Sequence, residues 1–260
     1  YGDILAAINV RYGSDESLEV IDKIGKTMMQ GALDCSIDLA ILRGHFPAWD
    51  KDLEFTNNLM DGRKGKNDFF NMLLKEFPEQ VKKMWKYGRR NISWSTIAPT
   101  GTVSLMTQTT SGIEPLFMPF YKRRKKINPN DKGVKIDFVD ENGDSWQEFI
   151  VLHEKFKMWM ILNDNITGYS DALKDNQVDF EYLEDCFTSS PWYGSTANDI
   201  SWKERNKIQS TFQKWITHAI SSTINLPKTT SEQEVSGIYL DGWKRGLKGQ
   251  TVYVDGSRSG

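Results

Sequence analysis

Asn91-Ile92-Ser93-Trp94-Ser95-Thr96-Ile97-Ala98 runs without a break into Pro99-Thr100-Gly101-Thr102-Val103-Ser104. The first part alternates and is rich in β-branched and aromatic side chains, which predicts a strand. Pro99 has no N–H to donate and ends the ladder. Gly101 lets a ligand approach the backbone closely, and Thr100, Thr102 and Ser104 add hydroxyls. A strand end followed by a turn with unpaired N–H groups is an anion cradle, more so where a helix begins. The same residues also read as a plain strand-terminating turn.

Upstream of this stretch, Ile4–Ile8 reads as helix. Ser14 is a good N-cap, with Asp15 and Glu16 in the first turn. Leu18, Ile21, Ile24, Met28, Ala32, Cys35, Leu39 and Leu42 then repeat at three- and four-residue steps up to Gly44, which predicts a long helix with Cys35 buried on its apolar stripe. Residues 45–67, with Pro47, Gly62 and Gly65, read as loop. A second helix is expected from Asp68 to about Lys86, reset near Pro78 and ended by Gly88.

Downstream, a strand is expected over Phe117–Ile127. Val134–Val139 and Trp146–Leu152 flank Asn142-Gly143, a strong hairpin signal. A helix over Trp202–Ser221 leads into a strand over Ser222–Pro227. Thr230 with Gln233 fits a capping box, opening a helix that stops at Gly246, and Gln250–Val254 is the last strand. Strands separated by helices predict an α/β fold with a largely parallel sheet or barrel. There is no repeat period and no low-complexity segment.

The chain has 260 residues, with 33 Lys+Arg against 35 Asp+Glu, a net charge of −2. That balance argues against a nucleic-acid coat or a polybasic membrane binder. With 38% hydrophobic residues, and aromatics at 12%, there is enough material for a large core. No apolar run reaches the roughly 18 residues of a membrane span, and no secretory signal opens the chain. Two cysteines, Cys35 and Cys186, are too few for a disulfide framework. The expected setting is cytoplasmic, so the sequons at Asn91 and Asn165 carry no weight. The first residue is not Met and the last lie in a loop, so both ends read as cut from a longer protein.

Few side chains form a chemical constellation. His45, His153 and His218 are scattered, none at metal-ligand spacing, and each reads as structural; no metal site is expected. There is no Walker motif, dinucleotide fingerprint or nucleophile elbow. The acidic cluster Asp140–Asp144 fails the EF-hand spacing, which would need a carboxylate where Val151 stands. Lys122–Lys126 reads as a solvated strand end, since strand alternation sends its side chains to both faces.

Thr96–Ser104 followed by Ser111-Gly112-Ile113-Glu114-Pro115-Leu116-Phe117 resembles the large catalytic subunit of ribonucleotide reductase. Two further blocks agree, in family order. One is Ile220-Ser221-Ser222-Thr223-Ile224-Asn225-Leu226-Pro227. The other is Gly242–Gly249 with Thr251-Val252-Tyr253-Val254-Asp255-Gly256-Ser257-Arg258. The resemblance implies a ten-stranded α/β barrel, of which residues 1–260 are the C-terminal half. It also implies that Pro99, Thr100, Gly101, Thr102 and Val103 bind the substrate phosphates, deciding for the cradle, while Ile113-Glu114-Pro115 is structural.

The family's radical cysteine stands in an Asn-x-Cys-x-Glu loop. Cys35 has Leu33 and Ile37 two residues away, and Cys186 has Glu184 and Thr188. No catalytic residue is therefore expected in this chain; the radical cysteine lies on an upstream half. The likeness is strongest to the adenosylcobalamin-dependent class. In the class served by a di-metal subunit, the matching strand carries two adjacent tyrosines that relay the radical, and here the second position is Val254. Implied partners are a ribonucleotide, the upstream half and a thioredoxin- or glutaredoxin-type reductant, with no nucleic acid or membrane. Two rival readings stand beside this one: the same catalytic subunit in the class served by a di-metal subunit and, from another functional class, a non-catalytic phosphate-binding or assembly subunit.

Overall fold

The computed structural model describes residues 1–56, 68–128, 130, 133–163 and 180–257. Helices are Gly2–Ala7 (α1), Asp15–Arg43 (α2), Lys51–Thr56 (α3), Asp68–Glu76 (α4), Pro78–Tyr87 (α5), Gly101–Thr107 (α6), Glu154–Leu162 (α7), Phe180–Thr188 (α8), Trp202–Gln213 (α9) and Glu232–Lys244 (α10). Strands are Phe120–Lys126 (β1), Phe138–Val139 (β2), Ser145–Leu152 (β3), Thr223–Leu226 (β4) and Thr251–Val254 (β5). Two units result: Gly13–Pro99 with Trp202–Gly260, and Tyr1–Tyr12 with Thr100–Ser201.

In the first of these units, the Ser14 hydroxyl accepts the Ser17 N–H and starts α2, which Gly44 ends at a φ of 77°. The buried side of α2 is not the expected stripe. Ile21, Gly25, Met29, Leu33, Ile37 and Ala40 are buried, whereas Met28 and Leu42 are exposed. Cys35, expected in the core, is exposed. The physical reason is Gly25: a Cβ there would stand 2.4 Å from Trp215 Cδ1. The fully buried Trp215 indole takes that gap and donates to Asp22 at 2.8 Å. The helix therefore turns its small residue, not its thiol, to its neighbours.

Pro78 separates α4 from α5 as expected, and Gly88 closes α5 at a φ of 77°. Within the expected loop over 45–67, α3 forms; Gly62 and Gly65 lie outside the described residues. Over Asn91–Ala98 no strand forms, only an isolated parallel bridge from Ile97 to Ile220. The Thr217 hydroxyl takes the N–H groups of Trp94 and Ser95, at 3.1 and 2.8 Å. A side chain thus satisfies donors that a ladder would have used.

Helix α9 ends at Gln213, short of the expected Ser221. The buried Gln213 amide donates to the carbonyls of Ile216 and His218, at 3.0 and 2.8 Å, and holds the chain in a non-helical path. β4 and β5 pair in parallel, Thr223 opposite Thr251 through Leu226 opposite Val254. Ile224, Leu226 and Ile238 form the core between them and α10. The cap of α10 falls one residue later than expected: Ser231, not Thr230, accepts the Glu234 N–H.

In the other unit, β1, β3 and β2 form an antiparallel sheet in that order. Gly143, at a φ of 83°, makes the expected turn. Asp140 uses its carboxylate on the turn, accepting the N–H groups of Asn142 and Asp144 and the Trp146 indole. The basic run on β1 is exposed; Lys122 and Arg124 pair with Glu148, and Lys126 with Asp144. Phe120, Phe156, Met160, Leu183, Cys186 and Trp192 are buried together. Mixed α/β content is as expected, but among the described residues the larger sheet is antiparallel: a hairpin turn joins β2 to β3, and β1 pairs with β3 along Phe120–Lys126. Among the described residues there is no closed barrel.

Candidate anion-binding site

Helix α6 opens without a side-chain cap. Thr100 precedes it at φ 50° and ψ 23°, a left-handed conformation that a β-branched residue rarely adopts. Such strain persists where surroundings enforce it, and it clusters at ligand sites. The Ser104 N–H reaches back to the Thr100 carbonyl at 2.8 Å. The N–H groups of Gly101, Thr102 and Val103 have no acceptor among the described residues. All three residues are exposed, and a Cβ on Gly101 would meet nothing within 4 Å. Adjacent unpaired N–H groups at a helix start can hold the oxygens of an anion, aided by the helix dipole. Pro99, one peptide bond upstream, is exposed and ends the first segment of the other unit. Thr100–Val103 thus lie together on one short element.

The first turn of α6 is tied to the loop that follows the helix. Buried Ser104 donates to the Gly101 carbonyl at 2.7 Å and its hydroxyl lies 2.8 Å from that of Ser111. Thr110, next to Ser111, donates its N–H to Asp3 Oδ2 at 2.8 Å, and the Asp3 N–H returns to Thr110 Oγ1 at 3.2 Å. Asp3 Oδ1 lies 2.9 Å from His153 Nε2 and accepts the Trp192 indole N–H at 3.1 Å. Burial alone would raise the Asp3 carboxyl; bonds from His153, the Thr110 N–H and Trp192 outweigh it and hold it below the ordinary carboxylate value. A cavity of about 240 Å³ lies beside this cluster, lined in part by Thr109, Thr110, Ser111, Glu114, Tyr121 and His153.

Sequence reasoning singled out Pro99–Val103 but not the residues that tie α6 to its surroundings. Asp3 stands 107 residues from Thr110, 150 from His153 and 189 from Trp192, separations that carry no local signal. His153 has the structural bonding expected of it. Cys186 is buried in an apolar cluster, and Cys35 is exposed on α2. Among the described residues no group of His, Cys, Asp and Glu could hold a metal ion. On β5, Tyr253 lies opposite Asn225, and its hydroxyl has no bond partner among the described residues. Val254 packs against the apolar cluster of Ile224, Leu226 and Ile238. No described helix is long and apolar enough to cross a membrane.

The chain is similar to curated relatives over nearly its whole length. It is 26% identical over 264 residues to the vitamin B12-dependent ribonucleoside-diphosphate reductase of Mycobacterium tuberculosis (strain CDC 1551 / Oshkosh), covering 99% of this chain and 30% of the relative. It is 26% identical over 275 residues to the vitamin B12-dependent ribonucleotide reductase of Rhodopirellula baltica, covering 99% and 25%. With the ribonucleoside-diphosphate reductase subunit alpha of Chlamydia pneumoniae it shares 25% identity over 264 residues, covering 98% and 23%. The chain thus spans less than a third of the length of these relatives. The family described as ribonucleotide reductase, barrel domain, matches residues 1–253. The chain belongs to the ribonucleotide reductase barrel-domain family.

Proposed function

We propose that this chain is the C-terminal part of a ribonucleotide reductase catalytic barrel, and that Pro99, Thr100, Gly101, Thr102 and Val103 hold the substrate's phosphates. The observation that carries the site is the uncapped start of α6, with three N–H groups that have no acceptor among the described residues beside a strained Thr100. The reaction replaces the ribose 2′-hydroxyl by hydrogen through a thiyl radical. Neither Cys35 nor Cys186 stands in the Asn-x-Cys-x-Glu pattern, so the radical cysteine belongs to an upstream half, with which this chain completes a ten-stranded barrel. A thioredoxin- or glutaredoxin-type protein returns the reducing equivalents.

Adenosylcobalamin is the proposed source of the radical. Relatives named for vitamin B12 support it. So does β5, where Val254 packs against the Ile224, Leu226 and Ile238 cluster and stands where a second tyrosine would follow Tyr253. A relay needs two redox-active phenols in contact, and an aliphatic residue can neither lose a proton nor hold a radical. No residue of this chain is assigned to holding the cobalamin. In the enzyme assembled with its upstream half, Tyr253→Phe is expected to leave turnover within a few-fold of the parent, since only a hydroxyl worth roughly 0.5–1.5 kcal/mol is removed. Loss of turnover in that variant, or activity that needs a di-metal protein and ignores cobalamin, would count against the assignment.

A further inference from the structure

We infer that Asp3 is a positioning residue for the anion cradle, holding α6 through Thr110 and Ser111; the inference rests on the phosphate reading above. The path is continuous within one unit. Asp3 holds Thr110 twice: its carboxylate accepts the Thr110 main-chain N–H, and its own N–H donates to the Thr110 hydroxyl oxygen. Ser111 follows Thr110 directly, and its hydroxyl meets Ser104, which in turn donates to the carbonyl of Gly101, the residue that opens the cradle.

Asp3 is itself held on its other oxygen by His153 and Trp192, so its carboxylate is oriented before Thr110 binds it. Helix α1 lies close enough for this because Gly2 has no side chain: a Cβ there would stand 2.8 Å from the Glu114 carbonyl oxygen. Asp3 and His153 are both largely buried, with side-chain exposures of 11% and 13%, yet the proposed chemistry uses neither. An aspartate with four such bonds fixes a loop, and the loop it fixes is the one that anchors α6.

The cradle binds through the alignment of main-chain N–H groups, and small misalignments of such groups are costly to affinity. Asp3→Asn removes one acceptor: its amide N–H₂ must face either the Thr110 N–H or the His153 and Trp192 donors. His153→Gln keeps an N–H donor at a comparable reach, whereas His153→Leu does not.

The test is a titration of the 260-residue chain with inorganic pyrophosphate, followed by amide NMR of the folded protein, with thermal melting in parallel. In the parent, the Gly101, Thr102 and Val103 amide signals are expected to move. Asp3→Asn and His153→Leu should each raise the dissociation constant about tenfold or more in the folded protein. His153→Gln should stay within about threefold of the parent, keeping the donor that Asp3 needs. Should Asp3→Asn not fold, the contrast between His153→Gln and His153→Leu decides. Folded variants that melt earlier but bind pyrophosphate like the parent would show a purely structural clasp and overturn the positioning role, while leaving the phosphate site intact. Pyrophosphate that moves none of the three amides in the parent would overturn both.

Discussion

Replacing Gly101 by Val in the assembled enzyme is expected to weaken nucleotide binding by about tenfold or more, because several charge-assisted hydrogen bonds of roughly 1.5–3 kcal/mol each are at stake. The Cβ of the new side chain would have no protein atom outside its own turn within 4 Å. The helix start should therefore fold as before. The isopropyl group is expected to block the close approach of phosphate oxygens to the main chain at Gly101. Calorimetric titration with nucleotide, alongside circular dichroism, separates binding from folding. A folded variant with the parent's affinity would remove Pro99–Val103 as the phosphate site.

Glu54→Ala should have the largest effect on stability, about 3–5 kcal/mol, the usual cost of leaving one partner of a buried ion pair alone. The Arg89 guanidinium donates to Glu54 Oε1 at 2.8 Å, with side-chain exposures of 11% and 8%. Trp49 donates its indole N–H to the other Glu54 oxygen. Arg89 also donates to the carbonyls of Asn91 and Ile92, at 2.8 and 2.6 Å, and stacks against Phe46 and Trp94. Without Glu54, a buried cation loses its countercharge at the entrance to the segment leading to Pro99. Urea unfolding would read the change as a lower midpoint at similar slope. A midpoint like the parent's would mean that the pair is solvated and contributes little.

The sequence carried the local signals well. Ser14, Gly44, Pro78, Gly88 and Asn142-Gly143 mark boundaries by backbone chemistry that acts within a few residues, and each boundary falls where that chemistry puts it. What failed depended on distant partners. The buried stripe of α2 was misread because Trp215, far along the chain, selects Gly25. Strand propensity over Asn91–Ala98 lost to the Thr217 hydroxyl. At the candidate site, the run of hydroxyls and Gly101 after Pro99 was legible because it is consecutive in sequence. Asp3, His153 and Trp192 were not, since only folding brings an aspartate near the start of the chain to a loop over a hundred residues away. The hydroxyls of Ser104 and Ser111 were visible as residues but not as a pair.

The central claim is that this chain supplies the phosphate-binding part of a radical reductase whose reactive cysteine lies elsewhere. Its most direct test is deoxynucleotide formation from ribonucleotide, with adenosylcobalamin and a dithiol present. The assay compares this chain alone, the upstream half bearing the Asn-x-Cys-x-Glu loop alone, and the two together. The account requires product only from the mixture. Product from this chain alone, or none from a mixture in which the two halves have associated and bound nucleotide, would contradict it.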